Sequence, residues 1–302
     1  MLSRVADALF WMGRYLERAE HVARVLDVTR AVLVDIDEVD PETAKSQWRG
    51  ALTALSLPDV STEKLLFDQS EPTSLVCSIS RARENARQVR EVVSEEMWAH
   101  LNQAYWSMQE AHSRGVHESQ LSQTLGAVIA ASFLWDGVAD STTTRDTGWL
   151  FLKIGKFVER LNGTCRLVSV RAEGPPKGGA LSSESVHWVA LLRSLCAMEA
   201  YKKVHPARVD RKQVLDFLIF DGSFPRTLRY AAVEAADFAK RCAEIHGPRG
   251  KAVERGFGKI ASQLEYADIN EVEGTGTAEF LRELLNELGE ASGLLQRAYF
   301  LQ

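Results

Sequence analysis

Gly13-Arg14-Tyr15-Leu16-Glu17-Arg18 and Gly155-Lys156-Phe157-Val158-Glu159-Arg160 decide how this chain is read. Each sets a glycine, a cation, an aromatic, an aliphatic and a Glu-Arg pair in the same order, about half a chain apart. Outward from the first copy, Val5, Leu9, Met12, Leu16, Ala19, Ala23 and Leu26 advance by alternating steps of four and three. That is the spacing of one helix face. Adding 142 to each number gives Thr147, Phe151, Ile154, Val158, Leu161, Cys165 and Val168, and six of these seven are apolar. The repeat thus reaches past the hexapeptide into the packing face. Arg24 has a counterpart in Arg166, while Glu20 becomes Asn162.

Phe10, Trp11, Tyr15, Val22, Val25 and Val28 cover much of the rest of the first helix. A helix that is apolar nearly all round is normally enclosed by other helices. Arg14, Glu17, Arg18, Glu20 and Arg24 would be enclosed with it, and buried charge is costly unless paired. Glu159, Arg160 and Arg166 of the second copy are the expected partners. The plainer reading is a solvated face, in which Glu20 and Arg24 form an ordinary i,i+4 pair.

Helical periodicity continues along the chain and strand alternation is scarce, so the expected fold is an all-α multi-helix bundle. A third long helix is predicted from Ser74, with the seam Leu75, Ile79, Ala82, Ala86, Val89 and Val93 changing phase to Met97, Leu101, Ala104, Met108 and Ala111. A fourth is predicted over 118–141. Glu173-Gly174-Pro175-Pro176-Lys177-Gly178-Gly179 cannot be helical, which places a flexible loop over 172–182. Further helices are predicted over 182–203, 211–220, 226–244, 249–265 and 276–298. Asp221-Gly222-Ser223-Phe224-Pro225, His246-Gly247-Pro248 and Glu273-Gly274-Thr275-Gly276-Thr277 separate the last four. Residues 1–302 are expected to form a single helical domain.

Among 302 residues, 45% are hydrophobic and 25% charged, with a net charge of −5. This is the composition of a globular chain with room for a large core. No segment interleaves Lys and Arg with aromatics, so no nucleic-acid partner is expected. No apolar run reaches the ~18 residues that span a bilayer, and charges interrupt Met1 to Asp7 where a leader would be apolar. No membrane association is expected, and a cytoplasmic location is. Cys77, Cys165, Cys196 and Cys242 are scattered, without the spacing of a zinc site or a disulfide framework.

Most catalytic signatures are missing. A carboxylate-bridged di-iron bundle needs two Glu-x-x-His pairs, and only Glu184-Ser185-Val186-His187 has that spacing. Glu17 and His21 are better read as a helix contact than as metal ligands, and no metal is expected. Gly155-Lys156 and Gly250-Lys251 lack the remainder of a phosphate loop, and Gly274-Thr275-Gly276-Thr277 lacks a third glycine. No Gly-x-Ser-x-Gly elbow occurs. No cofactor is expected. Arg side chains that grip carboxylates through paired bonds, beside a Glu able to hold an amine, would suit an amino acid or a peptide end.

Further motifs join the two hexapeptides. They are Met1-Leu2-Ser3-Arg4-Val5-Ala6, Trp11-Met12-Gly13, Ala82-Arg83-Glu84-Asn85-Ala86-Arg87, Thr144-Arg145-Asp146-Thr147-Gly148-Trp149, Glu199-Ala200-Tyr201, and Asp221 followed by Phe224-Pro225-Arg226. In this order the chain resembles the alpha-E superfamily, an all-helical bacterial family described by a Glu-Arg motif. The resemblance implies a single α-helical domain. It also implies a pathway shared with ATP-grasp-type ligases and transglutaminase-like proteases, in which amide bonds are made on amino acids or peptides. Carried over by position, the motif residues are Arg14, Glu17, Arg18, Glu20, Arg24, Arg83, Glu84, Asn85, Arg87, Arg145, Asp146, Glu159, Arg160, Glu199, Asp221 and Arg226. Lys156 and Leu161-Asn162 depart from the pattern and weaken any strict equivalence of the two copies.

Three functions are therefore in play. The first is an accessory or substrate-handling protein for an ATP-grasp-type ligase, binding an amino acid or peptide at the Glu/Arg centre. The second is an enzyme with Glu17 or Glu159 as catalytic base and the arginines holding a carboxylate. The third is a scaffold whose buried charges only specify packing.

Overall fold

The computed structural model describes residues 3–36, 41–57, 60–173 and 181–301, and it is all helical, with no strand among the described residues. In chain order the helices are α1 (Ser3–Ile36), α2 (Pro41–Ala54), α3 (Thr62–Phe67), α4 (Leu75–Gln88), α5 (Glu95–Arg114), α6 (Glu118–Thr142) and α7 (Thr147–Ala172). They continue as α8 (Leu181–Ser194), α9 (Met198–Val204), α10 (Arg211–Phe220), α11 (Leu228–His246), α12 (Lys251–Tyr266), α13 (Ile269–Thr275) and α14 (Thr277–Tyr299). All seven seam residues of α1 are buried, as are the six apolar ones of α7. Phe10, Val22 and Val25, off the seam, are buried too, because α2, α4, α6, α7 and α8 all pack against α1. No described helix is long and apolar enough to cross a membrane.

The two halves of the chain repeat one another beyond the long helices. α4 packs on α1 as α11 packs on α7, and α6 packs on α1 as α14 packs on α7. α5 bridges α4 and α6, and α12 bridges α11 and α14 in the same way. α2 and α8 each touch both long helices. Local geometry agrees. After α2, Leu57 N–H donates to Leu52 O at 2.9 Å across Ser56, whose φ is 60°. After α8, Ala197 N–H donates to Leu192 O at 2.7 Å across Cys196, whose φ is 54°. Both are Schellman-type helix ends with a left-handed residue that is not glycine.

A second pair of turns makes the same point. Asp68 Oδ1 accepts from Ser70 N–H at 2.8 Å and Ser70 Oγ at 2.6 Å, and Ser74 Oγ donates to Asp68 O at 2.6 Å. Asp221 Oδ1 accepts from Ser223 N–H and Ser223 Oγ, both at 2.8 Å, and Thr227 Oγ1 donates to Asp221 O at 2.5 Å. The sequences are Phe67-Asp68-Gln69-Ser70-Glu71-Pro72-Thr73-Ser74-Leu75 and Phe220-Asp221-Gly222-Ser223-Phe224-Pro225-Arg226-Thr227-Leu228. In each, the serine or threonine also caps the helix that follows.

Three helix expectations are corrected. The helix expected from Ser74 to Ala111 is two helices, because Ser94 Oγ accepts from Met97 N–H at 3.1 Å and starts α5 afresh. The change of seam phase after Val93 marks that break. The helix expected over 182–203 divides at Cys196, where no glycine or proline signals a stop. The separator expected at 273–277 is shorter, since α13 runs to Thr275, capped at its start by Asp268, and the chain turns at Gly276 with φ 97°. The expected loop at 172–182 falls mainly on 174–180, outside the described residues, with Ala172 still in α7 and Leu181 opening α8.

Candidate functional site

The site begins with two glycines. A Cβ on Gly13 would lie 2.3 Å from Leu152 O, and one on Gly155 would lie 2.0 Å from Phe10 O. Leu152 and Phe10 are themselves related by the 142-residue offset, so the contacts are reciprocal. α1 and α7 therefore touch backbone to backbone, and a methyl group at either position would push them apart. Further along both helices Glu17 meets Arg160, and later still the Gly163 position faces the His21 ring. Contacts advance in the same direction on both, so the helices run parallel.

One turn past the crossing the helices exchange ion pairs. Arg160 Nε and Nη2 donate to Glu17 Oε1 and Oε2 at 2.7 and 2.8 Å, a two-point grip. Arg18 Nε and Arg14 Nε donate to the two oxygens of Glu159 at 2.6 and 2.7 Å. Each glutamate is thus held by the arginine that follows the glutamate of the other helix. Arg226 adds a third party, 3.4 Å from Glu17 Oε1 and 2.7 Å from Glu20 Oε2, and Arg24 Nε donates to Glu20 Oε1 at 2.7 Å.

The electrostatics follow from this wiring. Burial pushes the Glu17 carboxyl upward, but Arg160, Arg226 and Lys156 outweigh it and leave Glu17 far below the usual carboxylate range. Burial is likewise outweighed at Glu159, by Arg14 and Arg18. Burial lowers Arg226, and Glu17 and Glu20 more than restore it, so its charge is fixed. His21 is buried and lowered, by burial first and by Arg226 as well, against the opposing pull of Glu20. Five guanidiniums (Arg14, Arg18, Arg24, Arg160, Arg226) face three carboxylates (Glu17, Glu20, Glu159), an excess of two positive charges.

Next to the Glu17 side, Lys153 reaches Asp140 at 2.6 Å and Asp136 at 3.9 Å, and Lys156 pairs with Asp136. The cleft among Glu17, Glu20, Lys156, Arg160 and Arg226 has a volume of about 30 Å³, room for one or two waters. Lys153 and Asp136 escaped the sequence reading. Lys153 carries no motif, standing where the first copy has Trp11, and Asp136 belongs to a helix without a repeat signal.

Of the sixteen motif residues, Arg14, Glu17, Arg18, Glu20, Arg24, Glu159, Arg160 and Arg226 come together. Arg166 instead donates to Asn162 Oδ1 at 3.1 Å and Ser56 Oγ at 2.7 Å. The other motif residues lie apart from the centre. Arg83 lies 4.5 Å over the Tyr105 ring and donates to Asn102 at 2.7 Å, joining α4 to α5. Glu84 and Arg87 pair at the surface of α4, and Asn85 is half-buried there. Arg145 stacks 3.7 Å above Trp149 and donates to Asp140 O at 2.7 Å. Asp146 caps α7 by accepting from Gly148 N–H at 2.8 Å. Glu199 is exposed, 3.8 Å from Lys202. Asp221 builds the turn that delivers Arg226. No group of three or more His, Cys, Asp or Glu suited to a metal ion occurs among the described residues.

A duplicated α-helical bundle with a Glu-Arg centre at its crossing is the class this geometry defines. The family model for Alpha-E, described as a predicted alpha-helical domain with a conserved ER motif, matches residues 1–300, and the chain belongs to that family. It is similar to Uncharacterized protein Mb2597 of Mycobacterium bovis, 25% identical over 319 residues that cover 93% of this chain and 35% of that protein. Uncharacterized proteins MT2643 and Rv2567 of Mycobacterium tuberculosis match with the same identity and coverage. The chain spans about a third of the length of these curated relatives. No solved structure matches it.

Proposed function

We propose that this chain is a substrate-handling module of an amide-bond-forming pathway, binding the carboxylate of an amino acid or peptide at its Glu-Arg centre. The observation that carries this reading is the surplus of guanidinium over carboxylate in a largely buried network. Uncompensated buried charge is costly, and an anionic ligand group would offset it. The arginines also have the planar fork that recognises a carboxylate. The same wiring argues against a general base, since Glu17 and Glu159 are held well below the range useful near neutral pH. The cysteine thiols are poor nucleophiles. Burial pushes Cys77, Cys165 and Cys196 up, and Cys242 up to about 12.

The activating chemistry then belongs elsewhere. An ATP-grasp-type ligase is the partner implied by the family resemblance. In the mycobacterial relatives the matching region is joined to other sequence about twice its length, which fits a module that works beside another activity. Co-expression with a neighbouring ATP-grasp ligase is expected to yield a co-purifying pair, or ligase turnover that depends on this chain. Ligase that is fully active alone and never associates with it would overturn the reading.

A further inference from the structure

The repeat that builds two equivalent faces at the α1/α7 crossing also shows how they differ. On one face Arg226 lies between Glu17 and Glu20. The matching turn of the first half places Thr73 where Arg226 stands, and the 142-residue offset places Asn162 where Glu20 stands. The second face has lost both members of an ion pair, and with them the long side chain that fills the first. In its place is a pocket of about 210 Å³, lined by Arg18, His21, Ser56, Thr73, Glu159 and Arg166 among others. On the first face the cleft beside Glu17, Glu20, Arg160 and Arg226 has about 30 Å³.

The pocket is cationic. Arg14 and Arg18 share the single carboxylate of Glu159, and among the described residues Arg166 is met by the neutral oxygens of Asn162 and Ser56 alone. His21 is buried, with 9% exposure, lines the pocket, and its Nε2 has no hydrogen-bond partner among the described residues. A buried imidazole nitrogen is seldom left unpaired. We infer that this pocket is the open ligand site, taking the carboxylate end of a free amino acid or short peptide onto Arg18 and Arg166, and that Arg226 closes the other face as a built-in occupant. This rests on the carboxylate-binding reading above and assigns it to one of the two faces. The volume suits a single amino-acid residue, and the missing counterpart of Glu20 removes the acid that would repel an anion.

Calorimetric titration of the full chain with L-alanine and L-alanyl-L-alanine tests this, with the C-terminally amidated forms and inorganic phosphate as comparisons. The expected result is one carboxylate bound per chain, with the amidated forms failing to bind. Arg166→Gln is expected to weaken binding about tenfold or more, the loss of a charge-assisted hydrogen bond. Thr73→Arg combined with Asn162→Glu rebuilds the closed face on the open side and should abolish binding while leaving melting unchanged or raised. Glu20→Asn combined with Arg226→Thr should raise the stoichiometry to two. Carboxylate binding that survives Thr73→Arg/Asn162→Glu would place the ligand elsewhere and overturn the inference while leaving the carboxylate-binding reading intact. Wild-type protein that binds phosphate alone, or none of these compounds, overturns the pocket assignment, and ligase dependence then decides the broader function separately.

Discussion

The Glu17 face and the Glu159 face descend from one pattern and have been finished differently. Both lie beside the same pair of glycines, and both tie a glutamate to an arginine of the opposite helix. On the Glu17 side Arg226 lies between Glu17 and Glu20, Arg24 holds the other oxygen of Glu20, and the space is closed. On the Glu159 side Asn162 and Thr73 leave arginines in excess and the space open. On the proposed reading, the duplicated motif is scaffold on one face and site on the other. Two positions open the second face, one of them in a turn far from the motif in sequence.

The contrast between the faces is greatest at the carboxylates. Glu17→Ala should cost about 3–5 kcal/mol in denaturant unfolding, the range for stranding a buried partner. Glu159→Ala should cost less, because the side chains of Arg14 and Arg18 are 15% and 18% exposed, against 9% for Arg160 and 8% for Arg226. Stranded but partly wetted guanidiniums are easier to tolerate, and equal losses would contradict the contrast between the faces. Gly13→Ala and Gly155→Ala each add a methyl group against a backbone carbonyl. Each is expected to cost roughly 3 kcal/mol, the upper part of the overpacking range, by the same measurement. Since the two contacts are reciprocal, the two losses should be similar, and a large inequality would deny that they are equivalent.

A smaller effect sharpens the comparison elsewhere. Gln47 and His187 stand at the 140-residue offset that also relates Ser56 to Cys196, and both grip buried Arg171, with His187 Nδ1 3.0 Å from Arg171 Nη1. Burial, with Arg171 beside it, pushes His187 down to about 4, and His21 is also lowered. Each takes up a proton more readily in the unfolded chain than in the folded one. The His187 contribution is thus complete above about pH 6.5 and is lost as pH falls from there towards about 4. His187→Gln should flatten that part of the stability profile, by on the order of 2–3 kcal/mol at its acid end. Smaller still, Glu20→Asn and Arg226→Thr should each destabilise alone. Combined they should lose about 1–2 kcal/mol less than their sum, as expected for a directly coupled pair. Glu199→Ala, at an exposed pair on α9, should leave melting unchanged.

The duplicated seam of α1 and α7 was readable because packing on one face of a helix imposes a period on nearby residues, and every apolar seam position in them is buried. The exchange of Glu17 and Glu159 between helices followed from the cost of burying charge. Arg166 was expected to join that exchange and does not, since Asn162 and Ser56 satisfy it locally. The break at Cys196 was invisible because the left-handed residue there is not a glycine. The Phe67–Leu75 and Phe220–Leu228 repeat was present in the sequence but lies at a different offset from the helices, so the 142-residue spacing of the long helices does not relate its two copies.

Periodicity and residue chemistry alone establish an all-α chain, a duplicated long helix and a set of arginines and glutamates that pair if the helices are enclosed. Those properties depend on neighbours within a few turns, which is the range over which sequence pattern and local structure are tied. Tertiary structure decided which carboxylate each arginine serves, that Arg226 arrives from a distant turn to close one face, and that Thr73 and Asn162 leave the other face open. Such pairings depend on where separate helices cross, and that crossing is set by the reciprocal glycine contacts and the surrounding bundle rather than by any single stretch of sequence.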